Sequence, residues 1–471
     1  MAELYRSTAT EIVAALKSGD VTPLDCLDAL EKRISDVDSK VNALPTLCFD
    51  RARSHAEDLM KKPIAERGPL AGLPVPIKDL SDVTGVRCTQ GSPIYATRIA
   101  ETSDILVTHL EKNGGIIYAM SNTPEFGAGA NTFNEVFGRT VNPWDTTKSA
   151  AGSSGGAAVA LATGMAWVAH GSDLGGSLRN PASFCGVVGM RPSPGRVAAT
   201  VGNKIDSTLG IEGPMARNVE DLALLFDAMI GEEQGDPLSL PADGTSYLKA
   251  ARSGWKPKRV AISRDLGISP VDPEVAAIVM AAARKFESQG VIVEEAHPDL
   301  HEAMECTQTL RAMSYAVGMR ALLETNRDQL KPEIIWNIEK GLALTATDIS
   351  KAEAQRSAMF HRTLKFFETY DLLLCPTTIV PPFPVEQRYV MECNGTKFTT
   401  YVDWLLIVSA ITAVCCPAIS IPAGFTRGNL PVGIQVVAPP RGEAKLLAGA
   451  KMLEGILALG AITPIDPRVG V

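Results

Sequence analysis

The chain has 471 residues, 45% of them hydrophobic and 21% charged, with a formal net charge of −8. That length supports a large hydrophobic core in an ordinary folded protein. The acidic balance lacks the basic footprint that gripping nucleic acid or an anionic membrane requires, so neither partner is expected. Nine cysteines, at 26, 48, 88, 185, 306, 375, 393, 415 and 416, show no metal-ligand or C-x-x-C spacing. They read as reduced core residues. The first residues, MAELYRSTATEI, lack the basic and apolar regions of a signal peptide. The most apolar run, 404–416, is closed by Pro417 well short of a membrane span. A cytoplasmic location is the resulting expectation, and in that setting the sequon Asn394-Gly395-Thr396 carries no meaning.

In chain order, Thr8 with Glu11 forms a capping box for a helix that Gly19 stops. Thr22 and Pro23 open a second, with Leu24, Leu27, Leu30 and Ile34 on one face. From Gly72 onward short apolar runs alternate with helical patterns. Residues 75–77 predict a short extended piece, off the centre of any ladder because of Pro76. A helix is predicted over 105–113, a strand over 115–120, a small-residue helix over 155–163 and a strand over 165–170. A strand at 259–263, a helix from Asp272 to Gly290 and a strand at 291–294 make a βαβ unit. Residues 300–370 are helical, with Met313, Tyr315, Met319, Trp336 and Phe360 as apolar members, and 371–375 is another buried strand. The alternation predicts an α/β protein, its mostly parallel or mixed sheet covered by helices on both faces. With no repeat or low-complexity linker, residues 1–471 are expected to form one domain. Its parts are an N-terminal helical segment (1–65), a core (66–235), a helical and βαβ elaboration (236–400) and a C-terminal return to the core (401–471).

Three segments carry candidate chemistry: Gly72-Leu73-Pro74-Val75-Pro76-Ile77-Lys78-Asp79, Ala151-Gly152-Ser153-Ser154-Gly155-Gly156, and Gly171-Ser172-Asp173-Leu174-Gly175-Gly176-Ser177-Leu178-Arg179. Singly, they read as a solvated lysine, a flexible turn and a serine-capped helix start. Together they make a reaction. Ser177 follows two glycines at a strand-to-helix junction, where backbone N–H groups of residues 174–177 can turn inward to form a nest for an oxyanion. A serine nucleophile needs a base. Ser153, 24 residues upstream on its own glycine-rich loop, can relay the proton, and Lys78 can accept it if burial keeps the amine neutral. Asp173 can brace the loop or be an ordinary turn residue.

Two other nucleophiles fit less well. Gly152-Ser153-Ser154-Gly155-Gly156 formally matches a G-x-S-x-G elbow with Ser154 as nucleophile, but 141–149 is turn-like and no histidine follows His361. Cys185 has no histidine partner by sequence and reads as core.

The three segments, their order and the serine spacing resemble the amidase signature family over about residues 68–235 and again near 402–440. Thr89-Gln90-Gly91-Ser92, Asn122-Thr123-Pro124-Glu125-Phe126 and Leu430-Pro431-Val432-Gly433-Ile434-Gln435 are similar to that family too. The resemblance implies a large twisted mixed sheet between helices. It also implies a Ser–cis-Ser–Lys triad of Ser177, Ser153 and Lys78, an oxyanion hole at Leu174, Gly175, Gly176 and Ser177, and no cofactor or metal. Ala151, Ala119-Met120-Ser121 and Ser172 depart from the family's usual residues. As none is a triad position, they are expected to affect pocket shape more than chemistry.

The function implied is hydrolysis of the C–N bond of a small amide, or of a related carbamate, urea or hydrazide. Its partners would be that substrate and, as an assembly, a second copy in a homodimer. The rival readings are the glutamine-hydrolysing amidase component of a tRNA-dependent amidotransferase and a non-catalytic binding homologue. Segments 122–131 and 300–410 are expected to line the substrate pockets. No arginine or lysine within them is assignable from sequence to a charged substrate, so an apolar or aromatic substrate is the expectation.

Overall fold

Strands that are apolar on both faces need cover on both, which puts them at the middle of a sheet. Leu372–Pro376 and Pro431–Val437 are buried along their whole length, and Ala418–Phe425 along most of it. The computed structural model, which describes residues 3–202, 205–242 and 244–470, centres an eight-stranded sheet on them. Its order is Ile292–Glu295, Arg259–Ile262, Leu372–Pro376, Pro431–Val437, Ala418–Phe425, Val188–Arg191, Ile211–Ala216, Val168–Asp173. Only the first two pairings are parallel and the other five are antiparallel, so the sheet is mixed rather than mostly parallel. The expected βαβ unit supplies one parallel pair, with helix Pro273–Arg284 as its crossover. Its outer strand, Ile292–Glu295, is partly exposed and acidic, which discourages pairing with another chain at that edge.

A second sheet of three strands has the order Thr46–Leu47, Ile116–Ser121, Pro74–Lys78. Pro74–Lys78 is an edge strand with a register shift between Val75 and Ile77, where Pro76 offers no N–H to the ladder. The strand is wholly buried even so, and it carries Lys78 into the interior. At its end the Lys78 N–H donates to His170 Nδ1 (3.2 Å), tying this sheet to the outermost strand of the larger one.

The helix signals hold in detail. Thr8 and Thr22 both form capping boxes, and Gly19 adopts a left-handed conformation at the end of the first helix. Region 300–370 folds as Ala303–Asn326, Pro332–Leu342 and Ala346–Phe366. The most apolar run becomes the short helix Leu406–Ala413, and among the described residues no helix is long and apolar enough to cross a membrane.

Candidate active site

Two glycine-rich loops and one strand end meet at a cavity of about 210 Å³. One loop runs from strand Val168–Asp173 to helix Arg179–Cys185 and carries Ser177, as the sequence pattern anticipates. Its Gly176 has φ +94° and a missing Cβ that would stand 2.6 Å from Asn180 Nδ2, so a larger residue is excluded twice over. The other loop precedes helix Gly155–Ala162 and contains a cis peptide bond between Gly152 and Ser153. The Ser154 N–H donates to the Ser177 carbonyl (3.1 Å), which locks the two loops together. Ser153, Ser177, Leu174 and Gly175 all line the cavity.

Lys78 is fully buried, and its Nζ donates to Ser153 Oγ at 2.6 Å and to Ser172 Oγ at 3.0 Å. Burial pushes its pKa down from 10.5 to about 7, against the opposing pull of Glu212 and Asp173. Ser172, one of the departures from the family pattern, thus touches the lysine amine through its hydroxyl. Its neighbour His170, also fully buried, accepts from the Lys78 N–H through Nδ1, so its proton sits on Nε2 and is donated to Glu212 Oε2 at 2.6 Å.

Asp173 braces the Ser177 loop. It accepts from the Gly176 N–H (2.9 Å), the Leu178 N–H (3.2 Å) and the Arg179 side chain (2.9 and 3.0 Å), with Arg191 3.4 Å away. Burial alone would raise its pKa, but the charges and hydrogen bonds of Arg179, with help from Arg191, hold it well below the usual carboxylate range. Arg179 reaches on to Val408 O, Thr412 Oγ1 and Gln435 Oε1, which accounts for the glutamine in the C-terminal motif. The Gly176 N–H, expected in the oxyanion hole, is committed to Asp173 at 2.9 Å instead.

The supporting motifs have parallel roles. Thr89 donates to Asp79 through its N–H (2.8 Å) and its hydroxyl, Ser92 Oγ donates to Glu125 Oε1 (2.8 Å), and the Phe126 N–H donates to the Gln90 carbonyl (2.8 Å). Phe126 is thereby fixed in the cavity wall. Ser154 is fully buried and directs its hydroxyl to the Ser172 carbonyl (3.3 Å), away from the cavity. Cys185 is buried, and burial pushes its thiol pKa up. All nine cysteines are free.

The wall includes parts of both segments expected to line it: Phe126, Gly127, Gly129 and Ala130 from the first, and Arg311, Tyr315 and Leu405 from the second. It also includes Leu80 and residues 210–212, which the sequence reading did not single out. No arginine or lysine of 300–410 is assignable from sequence to a charged substrate, and the structure places Arg311 in the wall. His170, Glu212 and Arg311 had no motif to mark them. The one available signal was a histidine in an otherwise apolar strand.

A mixed sheet that delivers a buried lysine–serine pair and a second serine on a glycine-rich turn to one cavity defines an amide hydrolase of the amidase class. The Amidase family model matches residues 25–447. The chain is 34% identical to an acylamidase of Rhodococcus erythropolis, over 99% of this chain and 98% of that one. It is 32% identical to a glutamyl-tRNA(Gln) amidotransferase subunit of Moorella thermoacetica, over 96% and 97%. Among solved structures it resembles a bacterial aryl acylamidase of the amidase signature enzymes, with a TM-score of 0.89 and 26% identity, covering 98% of this chain and 99% of the other. The chain belongs to the amidase signature family and is an amide-hydrolysing enzyme.

Proposed function

We propose that the enzyme cleaves small carboxamides by acyl transfer through Ser177, with Ser153 and neutral Lys78 as the proton relay. The observation that carries this reading is the 2.6 Å contact between Lys78 Nζ and Ser153 Oγ in a wholly buried setting, beside the cavity into which Ser177 opens. In the first step Lys78 takes the proton of Ser153, Ser153 takes that of Ser177, and Ser177 Oγ bonds to the carbonyl carbon. The oxyanion is stabilised by the backbone N–H groups of Leu174, Gly175 and Ser177. As the C–N bond breaks, the relay returns the proton to the leaving amine. Water, activated by the same relay, then releases the acid and regenerates Ser177. The role of Asp173 is to hold the turn in shape.

Likeness to an acylamidase and an aryl acylamidase supports acyl anilides as first substrates. The apolar walls of Leu80, Phe126, Ile211 and Leu405 fit such groups. The free cysteines agree with a reducing, cytoplasmic setting. The test is hydrolysis of 4-nitroacetanilide by the purified chain, with glutamine as the competing substrate and Ser177→Ala as the blank. Anilide turnover that vanishes in Ser177→Ala supports the proposal. Turnover that survives in the variant refutes the nucleophile. Efficient release of ammonia from glutamine, with anilides inert, favours the amidotransferase reading suggested by the Moorella relative.

A further inference from the structure

The cavity wall holds three charged side chains, Asp173, Glu212 and Arg311, and their circumstances differ. Asp173 is paired with Arg179 at 2.9 Å. Glu212 already accepts a hydrogen bond from His170 Nε2 at 2.6 Å. Arg311 has no carboxylate within 4.0 Å among the described residues. Its three hydrogen bonds all go to neutral acceptors: Asn337 Oδ1 at 3.0 Å, Tyr315 OH at 3.3 Å and Tyr401 OH at 2.7 Å. A guanidinium has five N–H donors, so two, the Nε–H and one on Nη1, remain uncommitted in a side chain that lines the cavity.

The surroundings hold this cation in place without neutralising it. Arg311 and Tyr315 lie one turn apart on helix Ala303–Asn326, on the same face. The guanidinium carbon is 5.0 Å from the centre of the Tyr315 ring and 5.2 Å from that of Tyr401, contacts that favour the charged form. Two acids on the surrounding elements are occupied elsewhere. Glu333 pairs with Arg388 at 2.7 Å, and Asp403 accepts from Gln308 (2.7 Å) and from the Thr399 and Thr400 N–H groups (2.9 Å each). Two further cations, Lys331 and Lys340, stand close enough to feel the Arg311 charge. A fixed planar cation with spare donors, facing a reaction cavity and lacking an anion, is a receptor for one.

We propose that Arg311 binds a carboxylate on the substrate, so that the enzyme's preferred amides carry an acid group at one end, as in a dicarboxylic acid monoamide or the amide of an amino acid bearing a free carboxylate. This rests on the amidase reading of the same cavity. It replaces a purely apolar substrate with an amphipathic one, the apolar chain lying along Phe126 and Leu405 and the acid at Arg311.

Two substrate arms test it. In one, the mono-4-nitroanilides of straight-chain dicarboxylic acids from malonic to adipic are each compared with a neutral anilide in which a methyl group replaces the carboxylate. In the other, the acetyl amide of 4-aminobenzoate is compared with acetanilide, placing the acid on the leaving amine. The quantity read is the ratio of kcat/KM for acid over neutral partner. The best acid in one arm should exceed its partner by at least about tenfold, the scale of one charge-assisted hydrogen bond pair. Arg311→Gln should cut that ratio about tenfold, and Arg311→Lys should retain part of it. A ratio at or below one throughout both arms, or one unchanged in Arg311→Gln, overturns the proposal. If Arg311→Gln does not fold, the wild-type ratios decide by themselves. If no amide is turned over, the chemistry assigned to Ser177 fails separately. Calorimetric binding of the same acid and neutral pairs to the Ser177→Ala protein then decides for Arg311, with tenfold tighter binding of the acid expected and equal binding refuting it.

Discussion

Replacing Lys78 with methionine is expected to abolish amide hydrolysis while making the fold more stable. The side chain is fully buried, and burial lowers its pKa from 10.5 to about 7. In the unfolded chain the amine keeps its ordinary value and stays protonated until pH rises past 10.5. At pH 7 the unfolded state therefore binds more protons than the native state, and native stability climbs with pH between about 7 and 10.5. A displacement of this size corresponds to roughly 4 kcal/mol of native-state cost at neutral pH, at about 1.4 kcal/mol per pH unit. Methionine has a similar length and carries no charge. It leaves the Ser153 and Ser172 hydroxyls without their donor, at about 1 kcal/mol each. The net gain expected for Lys78→Met is thus about 2 kcal/mol at pH 7. It should be full below pH 7 and fade as pH rises toward 10.5. Urea unfolding of both proteins from pH 6 to pH 10 measures it, and anilide hydrolysis measures the loss of activity. In the wild type, kcat/KM should rise with pH through an apparent pKa near 7, the free enzyme's base. A variant that is less stable at every pH, or one that still turns over, would refute the reasoning. So would a wild-type rate that keeps rising toward pH 10.

Glu212 raises the Lys78 pKa, so Glu212→Gln should move the acid limb of the pH–rate profile to lower pH, and a profile shifted upward would contradict this placement. Asp173→Asn strands the two buried arginines and should cost about 3–5 kcal/mol in urea unfolding. Because the Asp173 pKa is depressed in the fold, its contribution is fully present above pH 3.8 and is lost only as pH falls below that toward the folded value. Wild-type unfolding with a midpoint above pH 4 must therefore have another cause. Gly156→Ala places a methyl 2.3 Å from the Asn122 amide nitrogen and 2.5 Å from the Ala43 carbonyl, both backbone atoms. It should lower stability by about 2 kcal/mol or more and carry activity down with it, and a neutral result would show that these segments give way.

The sequence by itself determined the features encoded locally. Capping residues and apolar spacing place the first two helices, because a hydroxyl three residues ahead of an acid satisfies its own helix end wherever the rest of the chain goes. The glycine-rich loops made Ser153 and Ser177 candidates only in combination with Lys78 and with the family resemblance, since a glycine turn alone reads as an ordinary loop or helix start. Lys78 was legible from the apolar run that buries it. Sheet direction was not, since an apolar strand reads alike in parallel and antiparallel company, and five of the seven pairings proved antiparallel. Only the tertiary structure decided which polar residues join the site. His170 and Ser172 meet Lys78 from a strand distant in sequence, Glu212 joins through His170, and Arg311 arrives on a helix more than 130 residues after Ser177. What an arginine does depends on whether an acid stands beside it, and that neighbour is chosen by packing. At Arg311 the packing supplies tyrosines and an asparagine, and leaves a positive charge facing the cavity.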